Sequence, residues 1–260
     1  MKKIISFNLA LFVLAFLCSC ANAKENTDTQ FCFDTVVTLT AECDKETLDG
    51  AFSLCKNYEN LLSKTVKESD VYKLNTSLGK QKTDKDTLNL LKKAVYYGKI
   101  SSGSFDVTLY DVISLWDFNN EIVPSKNEMA EALKNVDYQS IKLYDDGVDL
   151  CSKKIDLGGI AKGFIADKVL EYFKGKGAKS AIINLGGNII VFGQDDKVIG
   201  IKKPFSEAEV SATVTVKNKS VVTSGIYERC FEKDNKFYHH ILDVKTGFPA
   251  DTDLASATII

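Results

Sequence analysis

The sequence predicts an α+β fold in which packed helices cover a mixed or antiparallel sheet. The first half of the chain carries apolar residues at helical spacing, and the second half alternates apolar and polar residues as strands do. The two patterns do not alternate as regular βαβ units, which argues against a parallel sheet. With 45% hydrophobic and 26% charged residues, the composition is that of a globular protein. No linker divides residues 31–260, so we expect one domain there.

The elements are predicted in order from apolar spacing and turn signals. Leu48, Phe52 and Cys55 recur at helical spacing, and Gly186-Gly187 interrupts an apolar run as a tight turn between paired strands would. The predicted elements are a strand over 31–41, a helix over 48–62, a short element over 70–75, a helix over 87–99, a strand over 147–151, a helix over 163–173, paired strands within 181–192, and strands over 198–201, 210–216, 239–242 and 254–260.

The start of the chain has the pattern of a bacterial lipoprotein signal. A short basic region precedes an apolar stretch over residues 4–17, which is too short for a confident membrane span. A lipobox-like Leu-Cys-Ser-Cys sequence follows, which predicts a signal peptide over 1–19 and acylation of Cys20. A plain cleaved signal peptide is the alternative. Residues 20–30 are polar and predict a tether, so we expect an exported protein, anchored to the cell membrane by lipid and facing the periplasm or the cell exterior.

Charge and cysteine spacing exclude other classes of function. The formal net charge of −2 gives no electrostatic reason to expect a nucleic-acid partner. The cysteines after Cys20 show neither a CxxC pair nor a Cys/His pattern, which favours free thiols over a disulfide framework or a zinc site. These cysteines are Cys32, Cys43, Cys55, Cys151 and Cys230.

Four glycine-containing motifs carry the residue types that chemistry needs: GSFD at 103–106, DLGGIAKG at 156–163, NLGGN at 184–188 and HHILDVKTG at 239–247. Neither DLGGIAKG nor NLGG matches the P-loop or the Rossmann pattern. DLGGIAKG would let backbone N–H groups at the start of a helix approach an anion, with Lys162 adding positive charge, which suits a pyrophosphate. A structural turn with a helix cap is the alternative.

The only two histidines of the chain, His239 and His240, lie close to Asp243 and Thr246 in the sequence. This grouping indicates a general base or proton shuttle near a phosphate. A solvated or core histidine pair is the alternative at this point.

In this order the motifs resemble the ApbE family of FAD:protein FMN transferases, over about residues 31–260. The resemblance implies an ApbE-like flavin transferase fold and transfer of the FMN half of FAD to a Thr or Ser hydroxyl of an acceptor protein, through a phosphoester bond and with release of AMP. It also implies Mg²⁺ as cofactor and, as acceptor, a subunit of an exported or membrane redox complex. The further matching motifs are FDT at 33–35, LLS at 61–63, SxxxKLN at 69–75, TSGxYER at 223–229 and HHIxDxxTGFP at 239–249.

The resemblance also implies roles for single residues. A carbonyl contact to the metal is implied for Gly159, the catalytic histidine is implied at His240, and Asp243 and Thr246 are expected to orient it or to bind phosphate. The residues implied to bind flavin or FAD are Ser104, Phe105, Asp106, Asp156, Lys162 and Ile241.

The chain departs from the family pattern at several positions. Phe33 replaces a common Met, Thr65 a common Tyr, and Val244 the usual Pro. In the family a further segment after the last strand supplies Asp and Thr ligands to the metal. Because the chain ends at Ile260, the resemblance predicts a C-terminally truncated domain over 31–260 that lacks part of the metal site.

Three other functions remain open from the sequence. A metal-dependent FAD pyrophosphatase would use the same site, with water in place of the acceptor hydroxyl. A non-catalytic flavin-binding lipoprotein would retain intact FAD. A purely structural lipoprotein would not need the ordered glycine, aspartate and histidine motifs.

Overall fold

The structure, a computed structural model, describes residues 24–206 and 208–260. The predicted signal peptide over 1–19 and the predicted lipidation site Cys20 lie outside these residues. Within the described part of the chain, no helix is both long and apolar enough to cross a membrane.

Antiparallel strands form the centre of the fold. The strands are β1 (Glu25–Cys32), β2 (Thr35–Glu42), β3 (Gln81–Lys82), β4 (Lys142–Leu143), β5 (Gly147–Asp149), β6 (Ala181–Leu185), β7 (Asn188–Phe192), β8 (Lys197–Lys202), β9 (Val210–Val216), β10 (Lys219–Gly225), β11 (Cys230–Lys233), β12 (Lys236–His239) and β13 (Ser256–Ile259). A six-stranded sheet has the order β1-β2-β6-β7-β10-β13, and smaller sheets are β3-β5-β4, β8-β9 and β11-β12. Every strand pair among the described residues is antiparallel, which decides between the two predicted sheet types.

The helices are α1 (Lys45–Leu62), α2 (Asp70–Thr76), α3 (Lys85–Ile100), α4 (Tyr110–Ser114), α5 (Lys126–Leu133) and α6 (Ala161–Gly175), with a 3₁₀ turn over Tyr138–Ser140. Four helices confirm elements predicted from the sequence, with extensions of up to three residues, whereas α4 and α5 were not predicted. Side-chain caps fix several starts. The Asp44 carboxylate accepts from Thr47 N at the start of α1, and the Ser69 hydroxyl accepts from Tyr72 N at the start of α2.

The first strand is predicted wrongly because a turn divides it. Phe33 and Asp34 have φ values of 56° and 54°, and Cys32 pairs with Thr35, so β1 and β2 form a two-residue hairpin. Residues 25–30, predicted as part of the tether 20–30, instead belong to β1. This strand lies at the edge of the sheet, where mostly exposed polar side chains hide the alternation that a sequence pattern needs.

The turn predicted within 181–192 is confirmed. Gly186 and Gly187 have φ values of 63° and 88°, and Leu185 pairs with Asn188 across them. A Cβ on Gly186 would lie 2.3 Å from Thr35 Oγ1, so both the backbone conformation and the space require glycine. The strand predicted over 239–242, by contrast, ends at His239.

Helices α1 and α6 pack against the six-stranded sheet and enclose the main core with α2 and α3. A second apolar cluster surrounds Trp116 and Met129, below the chain that follows β12. A third, around Val191, Val216 and Val221, joins the β8–β9 hairpin to β7 and β10. The five described cysteines are free thiols.

The packing of the main core predicts how much stability is lost when the Phe173 side chain on α6 is shortened. Phe173 on α6 is completely buried, whereas Phe31 on β1 is 72% exposed. Phe173→Ala is expected to lower the free energy of unfolding by about 3–5 kcal/mol, because it removes a buried ring and leaves a cavity. The matched Phe31→Ala is expected to change it by less than about 0.5 kcal/mol. Urea unfolding of residues 24–260 measures both, and equal losses would contradict the assigned packing.

Candidate active site

Several of the motifs lie together at one end of the six-stranded sheet. The pairs Val37–Leu185 and Asn188–Val222 place the β1–β2 turn, the β6–β7 turn and the end of β10 at this end of the strands. The start of α6 reaches the same point, since a Cβ on Gly163 would lie 3.3 Å from Asn188 Nδ2. Tertiary structure therefore joins DLGGIAKG and NLGGN, two motifs that are separate in sequence.

The DLGGIAKG loop before α6 is held on both sides. Asp156 Oδ1 accepts from Gly158 N at 2.7 Å, and Asp156 Oδ2 accepts from Lys64 Nζ at 2.6 Å. A Cβ on Gly159 would lie 3.2 Å from a ring carbon of Phe105, so the aromatic ring of the GSFD motif lies against this loop. The structure thus brings together three of the residues implied to bind FAD or metal: Asp156, Gly159 and Phe105.

Asp106 has a structural position inside the protein. It is 8% exposed, its Oδ1 accepts from Thr108 N and Thr108 Oγ1, and its Oδ2 accepts from Tyr138 N. These bonds fix the backbone next to Phe105. The implied contact of Asp106 with flavin would have to use the carboxylate lone pairs that these bonds leave free. Ser104 is exposed on the same segment.

Two cations define the next part of the site. Lys162 lies in the first turn of α6, whose N-cap residue Ile160 makes no side-chain capping bond. Burial lowers the pKa of Lys162, and the positive charge of Arg229 lowers it further. Glu228 is close by but pairs with Lys202 at 3.6 Å. Among residues 24–206 and 208–260, neither Lys162 nor Arg229 has a carboxylate within ion-pair distance. Two cations with an open helix start suit an anion.

His240 lies next to Arg229. Its backbone N–H donates to the Arg229 carbonyl oxygen at 3.0 Å, and its ring Nδ1 lies 3.3 Å from the same oxygen. Because a carbonyl only accepts, this contact favours a proton on Nδ1 and leaves the Nε2 lone pair available. The ring has a solvent-exposed side, yet desolvation by the surrounding protein atoms lowers its pKa; the contact with the Arg229 carbonyl opposes this shift and the Arg229 side-chain charge adds to it. A neutral His240 is what a general base requires.

His239 points the other way, into the protein. It is 4% exposed, and its Nδ1 has no hydrogen-bond partner. Burial lowers its pKa, against an opposing contact with the Ala250 backbone. Of the two histidines, His240 is therefore the one that a substrate can reach.

The HHIxDxxTGFP motif folds as a tight loop after β12. The Ile241 carbonyl accepts from Ala250 N at 2.9 Å, and Asp243 N donates to Phe248 O at 2.8 Å. Asp243 Oδ1 accepts from the backbone N–H groups of residues 245 and 246, so its recorded contacts shape the loop and do not involve the His240 ring. Thr246 is exposed at the loop tip.

This loop rests on the second core. The Gly247 carbonyl accepts from Trp116 Nε1 at 3.0 Å, and a Cβ on Gly247 would lie 2.0 Å from Met129 Sδ. The loop that follows His240 is thereby fixed by buried aromatic and sulfur side chains more than 110 residues earlier in the chain.

The described residues do not by themselves form a magnesium site. Nowhere in 24–206 and 208–260 do three His, Cys, Asp or Glu side chains come together as metal ligands. Mg²⁺ requires near-octahedral oxygen coordination, and the implied contact is only the carbonyl of Gly159.

Sequence reasoning missed three residues that build this site. Lys64 pairs with Asp156, and Asn75 bonds both backbone groups of Ile155 at 2.8 and 2.9 Å. Both contacts span at least 80 residues, so sequence spacing gives no signal for them. Arg229 could have been singled out from the sequence, because it is the only arginine in the chain.

Comparison with known proteins gives the family. The model of the ApbE family matches residues 33–260. Proteins named FAD:protein FMN transferase from Klebsiella pneumoniae and Treponema pallidum are each 34% identical to this chain. The alignments cover 84% and 82% of this chain and 71% and 66% of those relatives. The chain belongs to the ApbE family, which confirms the resemblance seen in its motifs.

Solved structures agree on the fold. The ApbE protein of Thermotoga maritima superposes with a TM-score of 0.83 at 30% identity, covering 90% of this chain and 81% of that one. The flavinyl transferase ApbE of Pseudomonas stutzeri, at 23% identity, superposes with a TM-score of 0.79 over 92% of this chain and 80% of its own. The predicted α+β, ApbE-like fold is confirmed.

The loop after His240 gives a test of its packing. Gly247 and Gly79 share a φ of 71°, but only Gly247 has atoms where a Cβ would lie. Gly79→Ala is expected to cost about 1 kcal/mol of stability, from the left-handed backbone alone. Gly247→Ala is expected to cost about 1–3 kcal/mol more, because the methyl group collides with Met129. Thermal and urea unfolding measure the difference, and equal costs would contradict the described contact.

Proposed function

We propose that this protein transfers the FMN half of FAD to a Thr or Ser hydroxyl of an acceptor protein, forming a phosphoester bond and releasing AMP. The observation that carries the proposal is that Arg229 lies close to both Lys162, at the start of α6, and His240, whose backbone N–H and ring Nδ1 contact the Arg229 carbonyl oxygen. Its support from comparison is that the relatives above are named FAD:protein FMN transferases.

The cations suit the anionic part of FAD. A pyrophosphate carries two negative charges, and its phosphate oxygens accept hydrogen bonds from ammonium, guanidinium and free backbone N–H groups. Lys162 and Arg229 repel each other, and a bound pyrophosphate would relieve that repulsion. These two side chains and the start of α6 would hold the diphosphate and stabilise the charge that develops on its oxygens during transfer.

His240 would take the proton. The acceptor hydroxyl loses its proton to Nε2 of neutral His240 as its oxygen bonds to the phosphorus on the FMN side. The bond from that phosphorus to the bridging oxygen breaks, and AMP leaves with the bridging oxygen. The contact between Nδ1 and the Arg229 carbonyl oxygen keeps the ring oriented as it becomes charged.

Magnesium and membrane anchoring belong to the same proposal. When bound, a divalent cation would neutralise part of the pyrophosphate charge.

Export, acylation of Cys20 and an acceptor in an exported or membrane redox complex are proposed from the sequence patterns alone.

The proposal is tested with residues 24–260 and FAD, a Thr-containing acceptor domain and either Mg²⁺ or EDTA. We expect the acceptor to gain the mass of an FMN group and AMP to appear in equal amount, with Mg²⁺ only, on the expectation that the phosphates of FAD would supply the oxygen ligands that the described residues do not. Free FMN and AMP without a mass gain would identify a pyrophosphatase instead. Retention of intact FAD would identify a flavin-binding protein, and transfer in EDTA would refute the metal requirement.

His240→Ala is expected to lower the rate of transfer about 10²- to 10⁴-fold, because it removes the general base. The dissociation constant for FAD, measured calorimetrically, should stay within a factor of about three if the ring contributes mainly to catalysis. Because neutral His240 is the active form and its pKa is lowered from 6.5, kcat/KM should fall with decreasing pH and reach half of its plateau value at a pH below 6.5.

Two neighbouring charges provide a control for this pH profile. The Arg229 charge lowers the pKa of His240, and the Glu228 charge raises it. The acid limb should therefore move to higher pH in Arg229→Met and to lower pH in Glu228→Gln. A limb that moves in neither variant would show that another group titrates.

A further inference from the structure

Two segments far apart in the sequence are bound together beside the DLGGIAKG loop. Asn75, at the end of α2, accepts from Ile155 N and donates to Ile155 O, at 2.8 and 2.9 Å. One residue further on, Lys64 Nζ donates to Asp156 Oδ2 at 2.6 Å. The end of α2 therefore fixes the backbone before Asp156, and the loop after α1 holds its carboxylate.

The carboxylate of Asp156 is held at both oxygens. Lys64 binds Oδ2, and the backbone N–H of Gly158 binds Oδ1 at 2.7 Å. Its side chain is only 14% exposed, so the orientation is set by these two contacts and by packing. Each oxygen keeps a second lone pair that a ligand donor can use.

Lys64 is itself held in place, although lysine is normally mobile. The Ser63 hydroxyl accepts from the backbone N–H groups of Thr65 and Val66 at 3.1 and 3.2 Å, which fixes the turn that carries Lys64. Its ammonium group also lies 5.6 Å from the centre of the Tyr110 ring. With 38% of its side chain exposed, Lys64 is expected to contribute little to stability through this pair.

We propose that Lys64 is a positioning residue of the FAD site, which holds the Asp156 carboxylate in the orientation that accepts hydrogen bonds from bound FAD. The inference rests on the proposed function, since it assigns Lys64 to the binding of that substrate. Lys64 acts through Asp156 and Gly158, which shape the loop in front of Phe105 and α6, and it takes no part in proton transfer.

The test compares Lys64→Met, Lys64→Arg and Lys154→Met in residues 24–260. Lys154 Nζ also lies 5.6 Å from the Tyr110 ring but pairs with Asp111, so its removal leaves Asp156 untouched. Lys64→Met is expected to weaken FAD binding, measured calorimetrically, about tenfold, because a charge-assisted hydrogen bond that orients the acceptor is lost. KM for FAD should rise in parallel while kcat stays within a factor of about two, since the proton-transfer group is unchanged.

Lys64→Arg should restore most of the affinity, because a guanidinium group can bind the same carboxylate, and Lys154→Met should bind FAD as the unchanged protein does. Unaltered FAD binding in Lys64→Met would overturn the inference. So would a loss of affinity that follows a lowered melting temperature and is not restored by Lys64→Arg, since that is a structural effect. If the unchanged protein binds no FAD, the proposed function itself fails, which is a distinct outcome.

Discussion

The close approach between the start of α6 and the β6–β7 turn is the constraint on which the site depends. Gly163 leaves room for the Asn188 side chain, and Gly186 leaves room for Thr35 on the neighbouring strand. Larger residues at either glycine would push the helix or β2 away from the turn. The start of α6, the β6–β7 turn and β2 meet without intervening side chains. Backbone N–H groups and Lys162 are therefore concentrated at one end of the sheet.

The electrostatics of this end of the sheet follow from that packing. Lys162 loses solvent contact where α6 meets the sheet and lies within the field of Arg229, so its charged form is disfavoured. Desolvation and the Arg229 charge lower the pKa of His240, while the Arg229 carbonyl oxygen orients its ring. Lys162 and Arg229 repel each other, and under the proposed function a bound diphosphate would neutralise that charge. The proposed binding and the proposed proton transfer would then rely on the same arrangement of charges.

Hydrogen bonds and packing contacts hold the loops around this charged end of the sheet. The loop from Ile241 to Ala250 is closed by its own backbone and is fixed below by Trp116 and Met129. On the other side, Asn75 and Lys64 hold the loop before α6. The partners come from α2, α5 and segments between helices, so elements that bind no substrate determine where the substrate-binding loops lie. This explains why motifs such as SxxxKLN accompany the glycine motifs: Ser69 caps α2, and Asn75 holds Ile155.

The sequence alone determined the four helices with clear apolar spacing, α1, α2, α3 and α6, and the glycine turn at 186–187, because apolar periodicity and the need for a left-handed backbone are local properties. It placed His239 and His240 near Asp243, and only the order of the motifs, through the family resemblance, singled out His240. The tertiary structure shows that the ring of His239 is buried and that His240 lies against Arg229. It also shows that residues 25–30 of the predicted tether belong to an edge strand, whose polar side chains carry no apolar alternation. The Lys64–Asp156 pair, 92 residues apart, exists only because folding brings two loops together, and no local pattern encodes such a contact.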